Sequence, residues 1–167
     1  MQPMTSNDLK AIMRKQGRAD ALDLAQRAGA MDGTAIIAEE QKIPLFVSGA
    51  DYSGCPSGTP IAEIVDGEVQ IFTMIIPVNT EHYPGITPNR DRSLFSLCHT
   101  TDPKKAKPWM PSQGISGLYR VGECCTYPHT DGSVHVFRSA VPDNQYPPLT
   151  INVEHYWEDL EEVSLWK

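Results

Sequence analysis

The chain has 167 residues, 40% of them hydrophobic, which is enough for one ordinary domain or for two very small ones with modest cores. Its formal net charge of −7 argues against a nucleic-acid-binding protein, because such a protein needs a basic surface that neutralises phosphates. No apolar run approaches the length that crosses a bilayer, and the start lacks the basic-then-apolar pattern of a secretory signal peptide. We therefore expect synthesis in the cytosol without membrane insertion.

The first 42 residues are predicted to form a helical segment. Thr5 and Asp8 match a capping box, in which the hydroxyl accepts from first-turn amides and the carboxylate reaches back. An apolar stripe at helical spacing follows, and Gly17 is a weak point that divides it into two parts. The stripe consists of Leu9, Ile12, Met13, Leu22, Ala25 and Ala28.

A turn at Asp32-Gly33 and a short helix over residues 34–41 complete this segment, with Ile36 and Ile37 expected to be buried. The segment has too little apolar surface to fold alone, so it must pack on other structure. We expect it to pack on the module that follows, or to associate with identical segments of neighbouring subunits. The second alternative stays open because a narrow apolar stripe with balanced charges also suits the seam of a helix bundle.

Residues 43–97 are predicted to form a first, small β module, because short apolar runs are interrupted there by glycine and proline. The strongest predicted strand covers residues 69–76. Asp66-Gly67 just before it is a hairpin-turn signal, which makes residues 61–64 its antiparallel partner.

Residues 98–107 are predicted to be a polar linker, and residues 108–167 a second β module. The linker contains Lys104, Lys105 and Lys107, which we expect to be solvated. The second module is predicted to have a turn at Asp131-Gly132 and strands over residues 123–127, 134–140 and 156–163.

Cysteine and histidine spacing gives no sign of a metal site. The four cysteines, Cys55, Cys98, Cys124 and Cys125, form no C-x-x-C pair, so neither a zinc ribbon nor a redox dithiol is indicated. We expect them to be reduced and half-buried in strands. The five histidines are scattered without ligand spacing, so we expect no metal ion and no cofactor.

The second module repeats the first. Asp66, Val69, Phe72, Pro77 and Asn79 recur, each 65 residues later, as Asp131, Val134, Phe137, Pro142 and Asn144. The offset then falls to 63 for Tyr83 and Tyr146 and to 62 for Phe95 and Trp157, as extra loop residues in the first copy would cause. A duplicated module is the simplest account.

The second copy has a recognisable order of features: an aromatic residue, Tyr-x-x-Gly, a strand, Asp-Gly, a Val/Phe strand, Asp-Asn-x-aromatic-Pro and a closing Trp. The residues that carry this pattern are Trp109, Tyr119, Gly122, Asp131, Gly132, Val134, Phe137, Asp143, Asn144, Tyr146, Pro147 and Trp157. It resembles the small chitin-binding-type carbohydrate-binding modules (family 5/12-like) appended to glycoside hydrolases. It resembles still more the variants found in tail-associated proteins of phages and prophages of Gram-positive gut bacteria.

The resemblance covers essentially all of the second copy and, more weakly, the first. In the first copy Leu45 or Phe46 stands where the opening tryptophan belongs, Cys55 falls at the place of Tyr119, and Phe95 replaces the closing tryptophan. The implied fold is mainly β with an N-terminal α-helical segment, followed by two small tandem antiparallel β modules.

Modules of this type are expected to bind sugars by stacking flat aromatic faces on a pyranose, while amides and carboxylates bond the hydroxyls. Tyr146 and Tyr83 are the best stacking candidates, because each precedes a proline in a polar loop just after an asparagine. Asn144, Asp143 and Asn79 are the candidate polar ligands, although such residues also bond their own backbone in loops. The core is expected to contain Trp109, Tyr119, Phe137 and Trp157.

The resemblance implies a non-catalytic phage or prophage virion protein that holds host-surface glycans, forms a homo-oligomer through its helical segment and contacts other virion proteins. The main alternative is a purely structural virion component, such as a capsid or tail decoration, fibre or adaptor, with no glycan ligand. No nucleophile, metalloprotease or nucleotide motif occurs, so we expect no catalytic residues. A hydrolase with paired carboxylates stays open as a third, distant alternative.

Overall fold

The computed structural model describes residues 5–166, with the side chains of Asp8 and Leu9 excepted. The protein is mainly β with an N-terminal helix, as predicted, and its strands form one three-stranded and one four-stranded sheet. The first helix begins directly after Thr5, where the capping-box prediction places its start, while the carboxylate of that box lies outside the described residues.

Helix α1 spans Ser6–Arg27 as one continuous helix, so the prediction that Gly17 divides it was wrong. An exposed glycine costs a helix only about 1 kcal/mol relative to alanine, which the flanking helix formers offset. The C-terminal end buries Leu24 and, just beyond the helix, Ala28, whereas residues 10–19 are all exposed. Residues 10–19 of α1 therefore contribute no side chain to the core.

Helix α2 spans Gly33–Ala38 and closes over the first sheet. Asp32, predicted to form a turn, instead caps this helix, because its side chain accepts a 2.8 Å hydrogen bond from the backbone N–H of Ala35. Ile36 and Ile37 are buried, as predicted. They pack against Ala28, Ala62, Ile71 and Cys98.

The first sheet is antiparallel, with β1 (Pro60–Val65), β2 (Glu68–Met74) and β3 (Phe95–Leu97) in that order. Asp66 and Gly67 join β1 to β2 with φ angles of 52° and 83°, which is the left-handed geometry of a two-residue hairpin turn. The predicted antiparallel hairpin is confirmed, with Val65 paired to Glu68 beside the turn. Its core contains Ile61, Phe72, Met74, Phe95 and Leu97, together with Met110 from the second module.

The second sheet has the order β4-β5-β6-β7. Its strands are β4 (Lys107–Pro108), β5 (Cys124–Pro128), β6 (Val134–Ser139) and β7 (Trp157–Glu162). Strand β4 pairs with β5 in parallel, and the other pairs are antiparallel. The three longer strands lie where the sequence predicts them, and their buried core consists of Tyr119, Cys125, Phe137 and Trp157.

Matching hydrogen bonds show the repeat in the backbone. The N–H of Gly58 donates to Met74 O, and that of Gly122 donates to Ser139 O, both at 2.8 Å. At the start of each copy, the N–H of Phe46 bonds Ala62 O and the N–H of Trp109 bonds Thr126 O. Phe46, rather than Leu45, therefore occupies the place of the opening tryptophan.

The equivalence of Cys55 and Tyr119 was wrong. Tyr119 forms a β-bridge with Asn144, and the corresponding bridge to Asn79 is made by Asp51. Cys55 instead lies four residues further on and packs at the edge of the first core. Tyr52, the residue after Asp51, stacks on Phe46 with ring centroids 5.5 Å apart. It supplies an aromatic ring next to the bridge that Asp51 forms.

The stretch predicted to be a solvated linker is packed between the sheets. Cys98, His99 and Thr100 are buried, and the backbone of Thr100 accepts a 2.7 Å hydrogen bond from Cys124 N. Lys107 begins strand β4 and pairs with Glu40, which also pairs with Lys105 at 3.2 Å. Two of the three lysines thus connect the helical segment to the second sheet.

All four cysteines are free, but Cys98, Cys124 and Cys125 are buried and not half-buried as expected. Cys124 and Cys125 point to opposite faces of β5, yet both are buried. The aromatic core covers one face, and the packed stretch of residues 98–107 covers the other. Burial raises the pKa of Cys98 to about 12, so this thiol is inert at neutral pH.

Candidate aromatic binding surface

The loop between β6 and β7 positions the predicted site of the second module. Within this loop Asp143 adopts a left-handed conformation (φ 51°), a geometry that aspartate tolerates better than most residues. Asn144 follows and is paired with Tyr119 through two backbone hydrogen bonds of 2.9 and 3.0 Å. This anchoring holds the start of the loop against the core.

Asn144 is not available to a ligand, in contrast to its predicted role. Its side chain is almost fully buried, and its amide nitrogen donates to Ser139 Oγ at 3.1 Å and to Tyr156 O at 3.2 Å. Its amide oxygen accepts from Tyr146 N at 3.3 Å. With every polar atom of the amide in use, Asn144 holds the loop in shape, which is the alternative role that such residues have in turns.

Tyr146 remains accessible, with 41% of its surface exposed. Its ring lies 5.9 Å from that of Tyr156 at an interplanar angle of 62°, an edge-to-face arrangement. The indole N–H of Trp157 donates to Tyr146 O at 2.9 Å, and Pro147 stiffens the following backbone. The ring is therefore held on a rigid support at the surface.

Asp143 is exposed but faces elsewhere. It lines a cleft of about 550 Å³ between the helical segment and the two modules, together with Arg120 and Glu123, whereas Tyr146 does not line this cleft. Burial raises the pKa of Glu123, whose carboxylate accepts a 2.8 Å hydrogen bond from Arg120 N and thereby closes a turn. Nothing in this geometry brings Asp143 next to the tyrosine ring.

The first copy places Tyr83 and Asn79 in one loop as well. Tyr83 is 60% exposed, and Asn79 accepts a 3.0 Å hydrogen bond from Glu81 N, which again is a turn-forming role. Within residues 5–166, no hydrogen bond or ring contact joins this loop to that of Tyr146. The two copies therefore present two separate tyrosines.

The four aromatics expected in the core behave as predicted. Tyr119, Phe137 and Trp157 are buried, and Trp109 packs against them while half-buried. Tyr119 meets Trp157 edge-to-face, with ring centroids 5.1 Å apart. These rings pack in the core, which leaves the exposed Tyr146, with the partly buried Tyr156 beside it, as the accessible aromatic surface of the loop between β6 and β7.

Sequence reasoning missed two features. Tyr156 was read only as the start of a strand, although its position next to the buried Trp157 is a signal that it lies at the rim of the core. His129 and His135 were read as scattered, yet their rings stack in parallel with centroids 4.2 Å apart. Because the Asp131-Gly132 turn lies between them, the hairpin itself was the signal that could have paired them.

Comparisons with known proteins add no relative. No protein-family model matches the chain, and neither the curated proteins nor the solved structures contain a match. Among residues 5–166, no helix combines the length and apolar character needed to cross a membrane.

Proposed function

We propose that this protein is a non-catalytic glycan-binding protein whose principal binding surface is the exposed Tyr146, with the partly buried Tyr156 beside it. The observation that carries the proposal is the half-exposed Tyr146 ring on a backbone fixed by Trp157 and Asn144. A tyrosine ring offers a sugar an apolar face and a hydroxyl, and a ring that is already fixed loses little entropy on binding.

A single aromatic site of this kind binds sugars weakly, so several linked sites are needed for tight attachment. Tyr83 provides a second exposed tyrosine in the first module. Further copies come from self-association of α1, which exposes Ile12, Met13 and Leu22. A second copy that covers these apolar side chains removes them from water and thereby stabilises both partners. Linked weak sites then act together through avidity.

The resemblance to phage and prophage tail-associated modules extends the proposal to a virion protein that is assembled in the host cytoplasm and attaches to host-surface glycans. In this role α1 contacts either identical subunits or other virion proteins. The rival structural role, without a glycan ligand, is favoured by one observation: the longest element of the chain is exposed over residues 10–19 and suits a protein partner.

Sedimentation of the purified protein with chitin, peptidoglycan and intact Gram-positive cell walls tests the proposal. Tyr146→Ala should reduce retention by about tenfold, since loss of one stacking ring removes about 1 to 2 kcal/mol. Tyr146→Phe should retain most of the binding because it keeps the ring. The matched control is Ile151→Ala, which removes an exposed apolar side chain from the same loop.

Equal retention of Tyr146→Ala and the unaltered protein would contradict the proposed surface. If a folded, oligomeric protein is retained on none of the matrices, glycan binding is rejected and the structural virion role becomes the better proposal. Circular dichroism of each variant separates a lost contact from a lost fold.

A further inference from the structure

A second polar cluster lies at the opposite end of β6 from Tyr156. The parallel rings of His129 and His135 form a stack with an interplanar angle of 6°. Asp159 lies at one edge, with a carboxylate oxygen 2.8 Å from Nδ1 of His135 and another 3.7 Å from Nε2 of His129. Asp131 lies at the other edge, 3.3 Å from Nδ1 of His129 and 3.9 Å from Nε2 of His135.

The sheet register explains why these side chains share one face. His135 is paired with Glu162, and Phe137 with Asp159, so two steps along β6 match three steps along β7. This β-bulge places both acidic residues on the face of His135, whereas a regular strand would put one of them on the opposite face. Tyr127 pairs with His135, which brings the end of β5 and the following turn to the same face.

His135 is the central member of the cluster. Only 6% of it is exposed, and its Nδ1 is fixed by the carboxylate of Asp159. Its Nε2 is buried and has no hydrogen-bond partner among the described residues. A hydrogen bond in which Nδ1–H donates to Asp159 leaves a free electron pair on Nε2, and this atom points towards Asp131. This is the arrangement of a histidine metal ligand oriented by a carboxylate.

The carboxylates of the cluster also have no lysine or arginine partner among the described residues. They belong to Asp131, Asp159 and Glu162, which converge here. One ligand atom from each of Asp131, His135 and Glu162 lies within 4.8 Å of the other two. Ligands of one metal ion are about 3 to 3.5 Å apart at the bond lengths of zinc, so small side-chain movements complete the site.

We propose that Asp131, His135 and Glu162 bind a first-row divalent transition metal ion, with Zn²⁺ as the best match. Imidazole nitrogen and carboxylate oxygen are ligands that Zn²⁺ accepts, and three protein ligands leave a coordination position for water. Asp159 is a positioning residue that holds His135, and His129 supports the ring from its face. The ion joins the β5–β6 turn to the end of β7.

Titration of the tag-free chain with ZnCl₂ by calorimetry, after removal of metals with EDTA, tests this site. The experiment is done at pH 8, because the pKa of His135 is raised: burial lowers it, but the hydrogen bond to Asp159 and the nearby carboxylates outweigh that effect. One ion per chain and a higher thermal unfolding temperature with Zn²⁺ are expected. Co²⁺ should give d–d absorption without a thiolate charge-transfer band, since no cysteine belongs to the site.

Asp131→Asn, His135→Gln and Glu162→Gln should each weaken Zn²⁺ binding by more than about tenfold, and Asp159→Asn by about tenfold. Asp131→Asn keeps the oxygen that accepts from Ser133, so the turn survives. Glu158→Gln on the same strand and His155→Gln, a surface histidine, are the matched controls and should bind normally.

The proposal is overturned if no stoichiometric binding occurs, or if the three ligand variants bind like the unaltered chain. Weaker binding in His129→Gln and Asp159→Asn, with Glu162→Gln unchanged, would place the ion at the other edge of the ring stack and overturn the proposed ligand set. A thiolate band with Co²⁺ would assign binding to cysteine and would equally contradict it.

Discussion

His99 is a buried imidazole that packing keeps neutral. It stacks on Tyr119 with ring centroids 3.5 Å apart, and its Nε2 lies 2.9 Å from Gly117 O, which it bonds as a donor. Its pKa is lowered to about 4, mainly by burial and to a smaller extent by the positive charge of Arg92, while the bond to Gly117 O acts in the opposite direction. The folded state therefore resists protonation at this position.

This shift predicts a pH dependence of stability. The folded pKa lies below the usual value of 6.5, so between pH 6.5 and 4 the unfolded chain binds the proton more readily. The stabilising contribution is complete above pH 6.5 and is lost as the pH falls, by about 3 kcal/mol at pH 4. Urea unfolding at several pH values should show this loss in the unaltered chain and not in His99→Gln, which keeps an N–H donor but does not titrate. Identical pH profiles would contradict the assignment.

The asparagines show how a residue type can be identified from sequence while its role is not. Asn144 and Asn79 were predicted from the repeat, and both accept a backbone N–H two residues later, as asparagine does in turns. Whether the side chain also faces solvent depends on Ser139 and Tyr156, which lie five and twelve residues away and enclose Asn144. Local pattern contains no information about that enclosure.

At the scale of an element, α2 is pressed against the chain that links the sheets. A Cβ added at Gly33 would lie 2.2 Å from the carbonyl oxygen of His99, a backbone atom that cannot move aside. Gly33→Ala should therefore lower the free energy of unfolding by about 1 to 3 kcal/mol. Gly17→Ala, with nothing near the added Cβ, should instead increase helicity at 222 nm and stabilise α1 by up to about 1 kcal/mol.

Thermal unfolding followed by circular dichroism compares these two glycine variants directly. Equal effects of the two substitutions would contradict the close approach of α2 to His99. A stabilised Gly33→Ala would do the same.

Elements whose signals are local were predictable from sequence. The Asp66-Gly67 turn fixes its own hairpin, and Ile36 with Ile37 marks the buried side of α2. Elements that depend on distant partners were not predictable. Lys107 looked solvated because its partner Glu40 is 67 residues away in sequence. The cluster around His135 depends on a bulge in β7, and a one-residue change of register has no signature in the residue pattern.

At the scale of the whole molecule, the two modules share structure and are not joined by a free linker. Met110 belongs to the second module but lies in the core of the first. Ser116 Oγ donates to Phe95 O at 3.0 Å, and Gln70 Nε2 donates to Pro108 O at 3.1 Å, so polar bonds also cross the boundary. Modules connected in this way are expected to unfold together as one cooperative unit.

Met110→Ala should lower the unfolding free energy of both modules by about 2 to 4 kcal/mol, because it leaves a cavity in a core that both modules support. Fluorescence reports the second module, since all three tryptophans, Trp109, Trp157 and Trp166, lie there. Hydrogen exchange of peptides from β1 and β2 reports the first. Ile115→Ala is the matched control, with a side chain that is 91% exposed and an expected change below about 0.5 kcal/mol. Met110→Ala could instead lower protection in β1 and β2 and leave the fluorescence transition unchanged. The modules would then be independent folding units, because the energetic effect of the cavity would stop at the boundary that Met110 crosses.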